Sequence, residues 1–261
     1  MVKEIGCFVT GAWTEAGAMT SFLKKVNGNY EYTQLLPNKP KFRRGLDPKV
    51  SGLTGDSLIE EMYVRMKRYK SEYAKYAAFI IEDDLDCRFH DKNDVQIHEI
   101  KKGIQHEVNN IIGKDIPLIF LLASPEIESW FLTDWSNTFS KLYKNDFFLN
   151  RLRIYIDRHI IKDYWEIGIE RYGIIEGKYF KLSDQIMDAV QTGVKEELLL
   201  KISGNYKKKV QMIFEDRSLY YSKRTHGDQM LRLLSPENLL DKCNLFFAPA
   251  YREISSLHLT T

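Results

Sequence analysis

Apolar positions along the chain fall into short unbroken runs separated by longer stretches with helical spacing. Ile5 to Val9 is the first such run, and its end at Thr10-Gly11 predicts a buried strand with a tight exit. Thr14 is placed to cap the next helix with Glu15 in its first turn, and Met19, Phe22, Leu23 and Val26 carry that helix to Asn27-Gly28-Asn29. Tyr30 to Leu36 alternates as a second strand, nearer the sheet edge. A cap at Thr54 or Asp56 opens a helix reaching about Ala74, with Leu58, Met62, Met66 and Tyr69 on one face. Ala77 to Ile81 is the third strand, and Asp94 opens a helix carrying Ile97, Ile100, Ile104, Val108 and Ile111 to Gly113. Pro117 to Ala123 is the most apolar strand and is expected at the sheet centre. Ser124 as N-cap and Pro125 as first helical residue then open another helix.

This strand–helix alternation over residues 4 to 143 predicts an α/β fold with a mainly parallel sheet flanked by helices. In such sheets, sites collect where the strands end. After about Asn145 the texture becomes aromatic and basic, and residues 182 to 213 read as helices broken at Gly193 and Gly204. The expected division is an α/β domain over residues 1–145 and a mostly helical C-terminal lobe over 146–261.

Composition changes this picture little. An apolar fraction of 44% in 261 residues supports a sizeable core, and a net charge of +2 does not by itself announce nucleic acid. The three cysteines, Cys7, Cys87 and Cys243, show neither zinc spacing nor a disulfide framework, which favours a reducing cytoplasm. No run is long enough to span a membrane, and the first residues do not read as a signal peptide.

Charge distribution is more informative. Phe79-Ile80-Ile81 runs into Glu82, Asp83, Asp84 and Asp86, with His90 and Asp91 close behind. In extended chain Asp84 and Asp86 point the same way, and two such carboxylates suit Mg²⁺ or Mn²⁺, which polarises a phosphoryl oxygen and acidifies water. Glu126 and Glu128 favour the start of the following helix, and at least one is expected to face the acidic strand end. Helical geometry turns the two apart, so they do not share one metal equally. The connection from Pro37 to Gly52 sets Phe42 among Lys39, Lys41, Arg43, Arg44 and Lys49, a pattern suited to a phosphate backbone with a stacked base. Lys223 and Arg224, in Lys-Arg-Thr-His-Gly-Asp, offer a transition-state cation or a phosphate grip, or cap the next helix. His98 and His106 share a helix face but stand too far apart to chelate one ion, and are expected in solvent. Walker, Rossmann and nucleophile-elbow motifs are missing from the sequence.

Taken together, the glycine after the first strand, the Thr-Glu helix start, Asp84-x-Asp86 and Glu126-Ile-Glu128-x-Trp130-Phe-Leu-x-Asp134 resemble the Toprim fold. More narrowly, they look like the small Toprim-type proteins related to RloB and the OLD-family nucleases, over about half the chain and loosely to Tyr221-x-Lys223 and residues 231–240. The resemblance implies a metal-dependent nuclease acting on DNA or RNA, with Asp84 and Asp86 as metal ligands and Glu126 and Glu128 as the second acidic pair, Glu126 completing the metal site. It also implies an ATPase partner in antiphage defence; a homo-oligomer is compatible with it. The chain departs from the pattern at the first strand, where Thr10 stands at the position of the family's Glu. Either Glu15 or an acid of the cluster compensates, or the chain is a silent module that binds nucleic acid or regulates.

Overall fold

The computed structural model describes residues 3–11, 17–37, 53–85, 89, 92–162, 168–172, 181–201, 203–215 and 219–257. Its centre is a parallel sheet of four strands, β1 (Glu4–Val9), β2 (Glu31–Leu36), β3 (Ala78–Asp84) and β4 (Leu118–Ala123), in the order β2-β1-β3-β4. The α/β class and the parallel sheet flanked by helices are therefore as the alternation predicts. Among the described residues β4 is not central but an edge strand, and its apolar character comes from cover on both faces.

One face of the sheet carries Phe8, Phe79, Ile81, Phe120 and Leu122 against α2 (Gly55–Arg68), α3 (Lys70–Tyr73) and α4 (Asp94–Ile112). The single long helix expected to Ala74 is interrupted at Tyr69, whose backbone leaves helical geometry before α3. α4 is capped by Asn93 and Gln96, and ends at Gly113 in the left-handed region, φ 82°. Gly6 lets β1 approach this face closely, because a Cβ there would lie 2.6 Å from the Leu35 side chain and 2.8 Å from Phe79.

The other face carries Ile5, Cys7, Val9, Ile80 and Leu121 against α1 (Ala18–Val26) and the C-terminal helices. Thr14 and Glu15 lie outside the described residues, and α1 is seen from Ala18. α5 (Glu128–Thr133) begins later than expected: Ser124–Pro125 is a cis peptide, and Ser124 donates to the Glu170 carbonyl instead of capping a helix. α6 (Phe139–Leu142), α7 (Asp146–His159) and α8 (Ile169–Tyr172) follow. α9 (Leu182–Asp188) runs through a π-helical turn, Ala189–Gly193, into α10 (Val194–Lys201). Gly193 thus does not break the helix; its lack of a Cβ admits the Tyr155 ring, whose hydroxyl would lie 2.5 Å from such an atom.

α11 (Gly204–Phe214), α12 (Lys223–Leu233) and α13 (Phe247–Ser255) complete the order. Phe22, Trp130 and Phe247 pack ring on ring, 5.6 and 5.2 Å between centroids, joining α1, α5 and α13. Asn27 donates to the Ile254 carbonyl at 2.9 Å, and the Tyr30 hydroxyl to that of Leu257 at 2.6 Å. The apolar cluster is continuous across residue 145, running from the sheet through α7 to α13. Among the described residues no helix is long and apolar enough to cross a membrane.

Candidate functional site

The acidic cluster does not leave the sheet as it begins. β3 continues through Asp84, paired with Ala123 of β4, and Glu82, Asp83 and Asp84 are all buried. Strand alternation sends Glu82 and Asp84 to the face of Ala78 and Ile80, and Asp83 to the opposite face. Asp83 Oδ2 accepts the N–H of Gly55, the first residue of α2, at 3.0 Å. Glu82 Oε2 accepts both the N–H of Thr10 (3.1 Å) and its hydroxyl (3.4 Å), so a carboxylate from the neighbouring strand sits on Thr10.

Asp84 is held from two directions. Its Oδ1 accepts the N–H of Ile127 at 3.0 Å, and its Oδ2 lies 3.5 Å from the ammonium of Lys223. The same ammonium lies 3.5 Å from Glu128 Oε2, while Glu128 Oε1 accepts the hydroxyl of Tyr221 at 3.2 Å. Two buried carboxylates from different elements therefore converge on one cation at the carboxyl end of β3. Burial pushes the Asp84 carboxyl above the usual range, Lys223 pulls it back, and Glu128 opposes that pull. Burial and the nearby Glu128 likewise hold the Tyr221 phenol well above its ordinary value, leaving it a neutral donor.

Glu126 behaves differently from Glu128. It is buried, and its Oε2 accepts the N–H of Ser183 in α9 at 3.3 Å. At least one member of the pair is expected at the strand end, and it is Glu128 that shares Lys223 with Asp84; Glu126, expected to complete the metal site, instead accepts from Ser183 of α9. Asp86, His90 and Asp91 lie outside the described residues, as do Lys41, Arg43 and Arg44 of the basic connection. Arg224 is exposed on α12 beside Lys223, and His98 and His106 are exposed on α4. The sequence pattern gives no role to the Ile127 N–H and points to Tyr221 only through Tyr221-x-Lys223.

A Mg²⁺ or Mn²⁺ ion finds a partial fit here. Among the described residues no group of three or more His, Cys, Asp or Glu side chains is arranged around one point. Mg²⁺, however, commonly takes only one or two carboxylates, with water and phosphate completing its shell. Among the described residues Glu128 Oε2 accepts no hydrogen bond and lies 3.5 Å from the Lys223 ammonium, so it is a buried carboxyl oxygen already aimed at a cation.

His226, one turn into α12, accepts the Ser222 N–H on Nδ1 at 3.2 Å and packs its ring 4.7 Å from that of Tyr220. Burial lowers its pKa. The folded state then binds fewer protons than the unfolded one below the ordinary value of about 6.5, and stability contributed by this group is lost as pH falls from there toward the lowered value. Melting curves between about pH 5 and 8 should show this loss in the wild type and a flatter profile in His226→Gln. Identical profiles would remove His226 as the titrating group.

No protein-family model, curated protein or solved structure matches the chain.

Proposed function

We propose that the chain is a divalent-metal-dependent phosphodiesterase of Toprim type acting on DNA or RNA. The observation that carries this reading is the convergence of Asp84 and Glu128 on one cation at the carboxyl edge of a parallel sheet, where such folds place their chemistry. Asp84 and Glu128 would hold the metal, with Asp86 following Asp84 in sequence. When bound, the ion supplies positive charge to the scissile phosphate. The chain's own residues set the stage for it. The Ile127 N–H fixes one Asp84 oxygen and leaves the other at the site, and Tyr221 does the same for Glu128. Lys223 neutralises both acids while the site is without substrate, and its three donors can turn to a phosphate oxygen when substrate arrives. Arg224, Lys41, Arg43 and Arg44 supply charge for the flanking backbone. Glu82 replaces the carboxylate that Thr10 lacks, since its side chain already rests on the Thr10 backbone and hydroxyl.

The test is cleavage of labelled single- and double-stranded DNA and RNA with Mg²⁺ or Mn²⁺. Activity is expected to vanish in Asp84→Ala and to fall at least about a hundredfold in Glu128→Gln, as for loss of a charge-stabilising group. Robust cleavage by Asp84→Ala sinks the reading.

A second reading rests on Thr10 and on the ammonium already seated between the acids: a silent module that binds nucleic acid or regulates without turnover. It predicts binding without cleavage in the wild type. Thr10→Glu separates the two, because cleavage gained only in that variant identifies a scaffold lacking one acid. An ATPase partner and a place in antiphage defence belong to the Toprim reading, as does a cytoplasmic location. Co-purification with an ATPase encoded beside this gene checks the first.

A further inference from the structure

On the sheet face opposite Asp84, a cavity of about 410 Å³ opens between α4, β4 and α13. Its size lies within the range of small-molecule sites and is too small for a folded partner or a long peptide. One wall is a stripe of α4 at helical spacing, His98, Lys101, Lys102 and His106. The floor is apolar and includes Phe120 and Phe246. One acid, Glu253 of α13, lines the cavity.

Lys101 is the distinctive group. Its side chain is partly buried, and its ammonium lies 5.5 Å from the centroid of the Phe120 ring at the cavity floor. Burial lowers its pKa and the charge of Glu253 opposes that, but no ion pair between the two closes within 4 Å among the described residues. A partly buried cation beside an apolar floor, with further nitrogen donors along its helix, suits an anionic group that enters the cavity. A lone inorganic ion would leave the floor unfilled, and a neutral apolar molecule would make no use of the Lys101 ammonium.

We propose that this cavity binds a small phosphate monoester with a planar apolar body, the phosphate at Lys101 and the α4 stripe and the body against Phe120 and Phe246. The site is independent of the Asp84 chemistry, since it lies on the other face of the sheet and shares no residue with it.

Titration calorimetry of the full chain with AMP and with phenyl phosphate tests the proposal, with inorganic phosphate, adenosine and benzoate as partial ligands. At least one of the two esters is expected to bind about tenfold more tightly than any partial ligand, as the loss of a charged or an apolar half implies. Lys101→Met should weaken that binding about tenfold, and Glu253→Gln should strengthen it by removing the opposing charge. Asp84→Asn should leave it unchanged, so failure here is separable from failure of the phosphodiesterase reading. Melting curves of each variant establish that it is folded. The proposal is overturned if neither ester binds at millimolar concentration, if benzoate binds as well as phenyl phosphate, or if folded Lys101→Met and Glu253→Gln bind like the wild type.

Discussion

Glu170→Gln is expected to lower the melting temperature by about 6–12 °C, although the residue lies in a helix of only four residues. The side chain is buried, and its carboxylate accepts three successive backbone N–H groups at the start of α13. Oε2 takes those of Leu245 and Phe246, and Oε1 takes that of Phe247 at 2.9 Å. A helix start leaves its first donors without intrahelical partners, and here one carboxylate from α8 takes the first of them, Phe247, together with the two N–H groups just before the helix. Glutamine matches the shape but brings an amino group to face N–H donors that stay buried. The loss of charge-assisted bonds together with that clash should cost about 3 kcal/mol. Calorimetric melting measures it directly, and a shift under about 2 °C would show that α13 docks without this cap.

Lys223→Met should have a comparable effect with a different remedy. Removing the ammonium leaves Asp84 and Glu128 buried together without a counter-charge, a loss of about 2–4 kcal/mol; the lower part of that range applies because Lys223 reaches solvent. If the two carboxylates are metal ligands, Mg²⁺ or Mn²⁺ can take the vacated place. Added metal should then raise the melting temperature of Lys223→Met by several degrees, and by more than it raises that of the wild type, where ammonium and metal compete. Equal or absent metal stabilisation in the two proteins would count against a metal at this position even if both were active.

Much of the frame was legible because it rests on local pattern. The strand–helix alternation, the cap region at Thr54 and the stop at Gly113 are short-range features written into consecutive residues. The position of β4 was not legible. An unbroken apolar strand signals cover on both faces, and helices provide it as well as strands do. Ser124-Pro125 looked like a helix start because those residue types favour one, but the helix waits for Glu128 and the Ser124 hydroxyl goes to Glu170.

The site divides in the same way. Asp84 and the Glu126/Glu128 pair could be picked out as charged residues at predicted strand and helix ends. Which glutamate faces Asp84 could not, since that depends on where α5 begins. Lys223 was visible as part of a basic stretch, yet its partners lie 139 and 95 positions earlier in the chain. Only tertiary packing brings them together. Glu170 had no sequence signal, because the backbone groups it caps carry no side-chain identity.

The placement of α13 also has a consequence for how the protein is made. The last described helix packs on the outer strand of the sheet, and the carbonyls of Ile254 at its end and of Leu257 just beyond it receive Asn27 and Tyr30 from near the beginning of the chain. During synthesis, β4 therefore emerges from the ribosome more than a hundred residues before its cover. Throughout that interval the apolar face of β4 that α13 buries stands uncovered, a surface that invites association with another nascent chain. Newly made protein should depend on chaperones until α13 has been translated, and the mature fold should not.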